Sequence, residues 1–308
     1  MITAVCLKPC IDKTITVDGV KLGQYNKIVD TRSDVSGKGV NVAVVLNRLG
    51  VRSRLIGYNF RENGKLLTDM LEKEQVEHSF VYSGGAIRTN IKLIDISDNT
   101  MTELNESGGL ITDEKKQEFL ELFGANSTGN ELITLSGSLP VGCEDTFYRD
   151  LIASAPCRCV LDCSGVSFAR GLEAKPYMVK PNKYELELYA GRPLDTKEEC
   201  LRVALDIIDR GVAIVCVSLG GEGAIITNGA ESYYAPPVKV RVRSTVGAGD
   251  SMVAGICKGL CEGKYLSECF AFGVAAGTAC VLSEGTSLLS QADYTAMLPR
   301  VEIEELRI

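Results

Sequence analysis

Short apolar runs rich in β-branched residues recur along this chain, separated by longer stretches of helical spacing. That rhythm restricts its fold more than any other feature. The runs are "ITAVCL" (2–7), "RLIGY" (54–58), "ELITLSG" (131–137), "CRCVLDC" (157–163), "YMVK" (177–180) and "AIVCVSLG" (213–220). Between them, "GVNVAVVLNRLG" (39–50) and "TKEECLRVALDIIDRG" (196–211) repeat apolar residues at helical intervals. Each of these ends on Gly, the residue favoured just past a helix. Strands that are apolar throughout and alternate with helices predict an α/β fold, a doubly wound and mainly parallel sheet covered on both faces. With 308 residues and no low-complexity linker, the chain reads as one domain over 1–308.

Two stretches leave that rhythm. Residues 12–35 and 79–105 alternate apolar and polar positions, the pattern of half-exposed strands. Together they read as a small sheet projecting from the main domain. A sheet beside a pocket is a candidate lid, and a plain hairpin decoration is the other reading.

Composition narrows the function. A net charge of −7 without a Lys/Arg cluster argues against a nucleic-acid partner. No apolar run nears the roughly 20 residues that span a bilayer, so no membrane role is expected. The 12 Cys contain no C-x-x-C pair. The opening "MITAVCLKPC" reads as a strand, not a secretion signal, so buried thiols in a reducing cytoplasm are expected. The single His, His78, falls in the polar stretch "EKEQVEHSF" and reads as a solvated loop residue. Chemistry here must run on carboxylates, Lys, Arg and backbone amides.

Four stretches offer such chemistry. In "STVGAGDSMVAGI" (244–256), Gly247-Ala248-Gly249 can turn several N–H groups toward one point, and a helix starting near Asp250 adds its dipole. A carboxylate at an anion site makes sense as a base that takes a proton from an attacking hydroxyl. Asp250 as an ordinary first-turn residue is the alternative. In "SDVSGKGVNVAVV" (33–45), Gly37-Lys38-Gly39 with Asn41 forms a second glycine-rich helix start, suited to another anion or a sugar, or simply a surface turn. In "KPNKYELELYAG" (180–191), Asn182 and Glu185 stand at i, i+3, which suits either a hydrated Mg²⁺ or a capping box. Arg88 in "RTNIK" (88–92) can fork onto a phosphate, as can any exposed Arg. G-x-G-x-x-G fails at every glycine cluster, and no G-x-x-x-x-G-K-[ST] occurs. A dinucleotide-binding oxidoreductase of similar architecture is thereby disfavoured.

Taken in order, "KPCID", "SGKGVN", "RTNIK", "TELNESG", "SGSLP", "DCSG", "KPNKYELE", "SLGGEGA" and "STVGAGDS" resemble the phosphofructokinase B family of ribokinase-like carbohydrate kinases. Within it they are most similar to the branch holding 1-phosphofructokinase and tagatose-6-phosphate kinase. The resemblance implies a three-layer ribokinase-like fold with a β-sheet lid that in this family often forms the dimer contact. It implies ATP and Mg²⁺, and phosphorylation of a sugar phosphate at its free primary hydroxyl. By the same resemblance Asp250 is the general base, and Gly247, Ala248 and Gly249 form the anion hole. Asn182 and Glu185 position Mg²⁺ through waters, and Ser218, Gly220 and Gly223 line the nucleotide. Asp12, Gly37, Lys38 and Asn41 hold the sugar, while Lys27, Arg88 and Lys38 are candidates for its existing phosphate. Fructose 1-phosphate is the expected acceptor, with tagatose 6-phosphate as its rival. A non-catalytic sugar-phosphate sensor is the reading outside enzymology.

The chain departs from the family pattern at Lys8-Pro9-Cys10 in place of Asn-Pro-Ser, at Ser36 in place of Gly, at Ser107-Gly108-Gly109 and at Ser244. None of these touches the expected base or anion hole. Lys8 adds a charge near the sugar.

Overall fold

The computed structural model describes residues 1–307 and holds fourteen strands among them. In chain order these are β1 (Ile2–Cys6), β2 (Cys10–Val17), β3 (Ile28–Ser36), β4 (Ser53–Phe60), β5 (Glu77–Ser83), β6 (Arg88–Asp95) and β7 (Thr100–Asn105). There follow β8 (Leu132–Ser136), β9 (Arg158–Asp162), β10 (Met178–Val179), β11 (Ile214–Ser218), β12 (Ala224–Thr227), β13 (Ser232–Ala235) and β14 (Glu304–Glu305). Ten of them form one sheet in the order β14-β13-β12-β11-β10-β9-β8-β1-β4-β5. From β5 to β11 every pairing is parallel, and β1 and β8 are buried along their whole length. Burial on both faces is what the unbroken apolar runs demand.

The far edge differs from expectation. Strands β12, β13 and β14 continue the sheet antiparallel, joined to β11 through the Gly220–Gly223 turn. Those short segments lack the apolar run that marks a central strand.

Strand order reverses at β1: from it the chain builds outward through β4 and β5 on one side, then returns to place β8, β9, β10 and β11 on the other. Such a reversal opens a crevice at the carboxyl ends of the strands, where α/β sheets bind ligands. Lys8 follows β1, Ser136 ends β8, Asp162 ends β9, Lys180 follows β10 and Ser218 ends β11, so all converge there.

The remaining four strands form a separate sheet, β3-β2-β6-β7. It is the expected lid with one correction. Residues 79–83 belong to β5, the edge of the main sheet, paired parallel to β4. An edge strand is half exposed and so alternates like a lid strand. His78 lies in that same strand rather than in a loop, its Nδ1 3.1 Å from the Val76 carbonyl and its ring 5.5 Å from that of Phe80.

The helix starts match the sequence. Lys38–Arg48 begins after Gly37, and Lys197–Asp209 is capped by Thr196 in a capping box with Glu199. Ala248–Cys261 begins after Gly247 and packs against both Lys38–Arg48 and Leu266–Cys280. An added Cβ at Gly39 would lie 2.3 Å from the Val5 carbonyl oxygen, so glycine there lets the Lys38–Arg48 helix sit directly on β1. That contact sets the depth of one wall of the crevice.

Candidate active site

The crevice is a cavity of about 780 Å³ roofed by the lid. It is lined by both glycine-rich helix starts, by Asn182, Glu185, Ser218, Gly220 and Gly223, and by Asp12 and Arg88 from the lid. Positions scattered across the chain are therefore brought to one place. Lys27 is the exception. It stays exposed in the β2–β3 connection and does not line the cavity.

Gly247 sits at φ +78°, and a Cβ there would lie 2.6 Å from Leu288 Cδ2, so both backbone and packing require glycine. The Ala248–Cys261 helix starts at this point, leaving its first N–H groups without intrahelical partners. Those of Gly247, Gly249 and Asp250 have no acceptor among the described residues. Ala248 is a correction, because its N–H donates to the Thr245 carbonyl at 3.3 Å. The unpartnered amides at this helix start are thus those of Gly247, Gly249 and Asp250 rather than 247–249. Lys180 Nζ lies against it, 3.2 Å from where a Gly249 Cβ would stand.

Asp250 is 6 % exposed and faces the cavity. Asn41 Nδ2 donates to its Oδ2 at 2.7 Å. Burial pushes its carboxyl up to about 6, with the Asp162 charge adding to the rise and Lys38, Asn41 and Lys180 opposing it. Asp162, 1 % exposed, goes the other way. Burial raises it, but the Lys180 and Lys38 ammonium groups outweigh burial and hold it below the ordinary Asp value. Lys38 Nζ donates to Asp162 Oδ1 at 3.0 Å, and Lys180 Nζ is 3.7 Å from the same atom. Two buried carboxylates in one cavity are therefore pushed apart in acidity, the arrangement by which a site separates a base from a permanent charge.

Lys38 is tied to the same carboxylates. Its ammonium is held by Asp162, lies 3.8 Å from Glu185 Oε1 and stays charged despite burial because Asp162, Asp250 and Glu185 surround it. It belongs to the carboxylate cluster, so its charge is already matched within the chain.

Asn182 and Glu185 form the capping box: Glu185 N–H donates to Asn182 Oδ1 at 2.8 Å and Asn182 N–H to Glu185 Oε2 at 2.9 Å. Glu185 Oε1 stays outside that exchange. Asp162 Oδ2 is buried with no hydrogen-bond partner among the described residues. An orphaned carboxylate oxygen and a second carboxylate near phosphate-sized space fit a Mg²⁺ that keeps most of its waters. The described residues hold no cluster of three or more carboxylate, His or Cys ligands, which a dedicated all-protein metal cage would need.

In the lid, Asp12 is buried and accepts from Lys92 Nζ and Asn90 Nδ2, each at 3.1 Å. Arg88 donates from Nη1 to the Glu106 carbonyl, and its buried Nε has no partner. Sequence reasoning passed over Asp162, Lys180, Lys92 and Asn90 as site residues, although "DCSG", "KPN" and "RTNIK" contain them. The usable signal is position, since Asp162 and Lys180 each stand at the carboxyl end of an apolar run.

The comparisons agree with this geometry. Residues 7–293 match the pfkB family carbohydrate kinases. The chain is 31 % identical to 1-phosphofructokinase of Bacillus subtilis, over 99 % of this chain and 100 % of that one. It is 35 % identical to 1-phosphofructokinase of Rhodobacter capsulatus, over 87 % and 86 % of the two chains. Among solved structures, phosphofructokinase-2 from Escherichia coli in complex with substrates and products superposes with a TM-score of 0.90 at 28 % identity, covering 97 % of this chain and 98 % of that one. A doubly wound sheet with a β-sheet lid, a glycine-lined helix entrance carrying a buried aspartate, and full-length similarity lead to one conclusion. The chain belongs to the pfkB family of carbohydrate kinases.

Proposed function

We propose that the protein is an ATP-dependent sugar-phosphate kinase of the cytoplasm, a 1-phosphofructokinase that converts fructose 1-phosphate and ATP to fructose 1,6-bisphosphate and ADP. The observation that carries this reading is Asp250. A buried carboxylate with a raised pKa stands at the edge of unpartnered helix-start amides inside a cavity of about 780 Å³.

The residues divide the reaction among them. Asp250 accepts the proton of the sugar's primary hydroxyl as its oxygen bonds to the γ-phosphorus and the bond to the ADP oxygen breaks. A pKa near 6 leaves Asp250 ionised at neutral pH yet more basic than an ordinary carboxylate. The Gly247, Gly249 and Asp250 amides, with Lys180 beside them, hold the charge that develops on the transferring group. Asp162 Oδ2, Glu185 and Asn182 would hold Mg²⁺ with its waters. That ion, when bound, neutralises phosphate oxygens. Ser218, Gly220 and Gly223 lie along the nucleotide, and Val240, Val242 and Val281 supply an apolar wall for its base. Asp12, Gly37 and Asn41 hold the sugar under the lid, which keeps water from acting as acceptor. Arg88 takes the phosphate the sugar already carries.

The lid leaves Leu22, Tyr25, Ile28, Val29, Met101 and Leu104 exposed, Leu22 at 91 % and Tyr25 at 90 %. Such residues on one small sheet and its β2–β3 connection favour a homodimer through the lid. Sedimentation of the parent and of a Leu22→Asp, Tyr25→Asp double variant tests this, with a dimer expected only for the parent. A parent that sediments as a monomer overturns it.

Coupled ADP release across fructose 1-phosphate, tagatose 6-phosphate, fructose 6-phosphate and free sugars tests the activity. Highest kcat/KM on fructose 1-phosphate is expected. Preference for tagatose 6-phosphate reassigns the substrate. ADP release on none of them makes the protein a sensor rather than an enzyme.

A further inference from the structure

Five cationic side chains line the cavity: Lys8, Lys38, Arg88, Lys92 and Lys180. Three of them are matched by carboxylates. Lys38 and Lys180 share Asp162, and Lys92 is held by Asp12. Lys8 and Arg88 have no carboxylate partner among the described residues, and Lys8 makes no side-chain hydrogen bond there. The two lie side by side. A Cβ added at Gly108 would stand 3.4 Å from Arg88 Cδ and 3.6 Å from Lys8 Cε. Partial burial and the Arg88 charge both push the Lys8 ammonium toward its neutral form. Arg88 Nε is buried with nothing to donate to. Two adjacent cations with an unsatisfied donor, half out of water and without a counter-ion, form an arrangement that an anion completes.

The charges acting most strongly on Asp250 are Lys38, Asp162 and Lys180, whereas Lys8 and Arg88 lie against each other beside Gly108, where the lid meets β1. They also come from different bodies. Lys8 follows β1 of the main sheet, and Arg88 opens β6 of the lid, paired in register with Cys10. An anion between them joins lid to sheet.

We infer that Lys8 is a specificity-determining residue that, together with Arg88, binds the phosphate monoester already present on the acceptor. This deepens the kinase reading and rests on it. The chemistry selected is a dianionic phosphate at one end of a small polyol whose free primary alcohol reaches Asp250. A flexible ammonium and a guanidinium fork supply complementary donors, and a dianion relieves their mutual repulsion. Lys38 and Lys92 each already have a buried aspartate as counter-ion, so neither is short of negative charge as Lys8 and Arg88 are. Lys27 cannot take this role within one chain, because it lies outside the cavity.

The test uses full-length Lys8→Asn, which places the family pattern's residue there, and Lys8→Arg, which keeps the charge. In Lys8→Asn, KM for fructose 1-phosphate should rise about 10–100-fold, the weight of one charge-assisted hydrogen bond, while kcat and the KM for ATP change far less. KM for unphosphorylated fructose should stay where it is, and Lys8→Arg should recover most of the loss. An unchanged KM for the sugar phosphate overturns the inference, as does an equal rise for fructose. A second readout is independent of turnover. With ADP and Mg²⁺ saturating, inorganic phosphate should raise the melting temperature of the parent and of Lys8→Arg but not that of Lys8→Asn. Equal phosphate protection of all three overturns the assignment of Lys8. Phosphate protection that depends on Lys8 in a protein that phosphorylates no sugar leaves this anion site standing and removes the kinase reading instead.

Discussion

The two margins of the cavity treat charge in opposite ways. At the glycine-lined helix entrance every charged group has a partner in the chain. Lys38 and Lys180 are bound to Asp162, and Asn41 is bound to Asp250. Where the lid meets β1, Lys8 and Arg88 stand together without a carboxylate. A preorganised network fits a place where bonds are remade, since its dipoles are already aimed when charge develops. A centre short of negative charge fits a place that only binds, since the ligand itself completes it. The contrast teaches that cations in one cavity have different roles according to what already neutralises them, which neither their number nor their residue type reveals.

The helix-entrance side breaks most severely at Asp250. Asp250→Asn should lower kcat by about 10²–10⁴ while ATP binding persists, measured by steady-state kinetics and nucleotide titration. The same change should raise the melting temperature above neutral pH. The folded-state pKa of Asp250 lies above its unfolded value, so its contribution is complete below the unfolded pKa and is lost as pH rises through about 6. An ionised Asp250 is therefore a stability cost at pH 8, and Asn removes it. Parent-like turnover in this variant would take Asp250 out of its role.

Asp162 should behave in the reverse sense. Asp162→Asn leaves the buried Lys180 without its carboxylate and Lys38 with only the more distant Glu185 and Asp250, and should cost about 3–5 kcal/mol in denaturant unfolding, with activity falling as well. Its depressed pKa places its stabilising contribution above the unfolded value, and that contribution is lost as pH falls through the folded one. A variant as stable as the parent would mean that the network is not held by this carboxylate.

On the lid side the effects are smaller and confined to binding. Arg88→Ala should raise KM for the sugar phosphate about 10–100-fold and leave kcat and the KM for ATP close to the parent's. A fall in kcat without a change in KM would move Arg88 to the transfer chemistry and erase the contrast between the two margins. The smallest effect sharpens the helix-entrance side. Asn41→Ala removes one hydrogen bond to the ionised Asp250, worth about 1 kcal/mol, and should move the acid limb of kcat upward by about half to one pH unit.

Much of this was legible in the sequence, for identifiable reasons. Gly247 and Gly37 mark helix starts because the positive φ at both positions excludes most other residues. The unbroken apolar runs at 2–7 and 131–137 give β1 and β8 because a strand covered on both faces has no polar side to show. What stayed hidden is pairing at a distance. Lys38 is 124 positions from Asp162, and no spacing rule predicts that its ammonium turns to that carboxylate rather than to a substrate. The Ala248 amide was miscounted because its bond to Thr245 depends on how the turn closes. The antiparallel edge β12–β14 escaped because its strands are short and lack a long apolar run. Lys8 was visible only as an odd charge, and its lack of a counter-ion appears once the lid is in place.

The most direct test of the central claim is the pH dependence of kcat with ATP, Mg²⁺ and fructose 1-phosphate all saturating, from about pH 5 to about pH 9. A base must be ionised to accept the proton, so kcat should fall about tenfold per unit on the acid side of a midpoint raised above the ordinary Asp value. The residual activity of Asp250→Asn should show no such limb. A parent profile that is flat through this range, or a limb that survives in Asp250→Asn, would contradict the assignment of Asp250 as the group that deprotonates the acceptor.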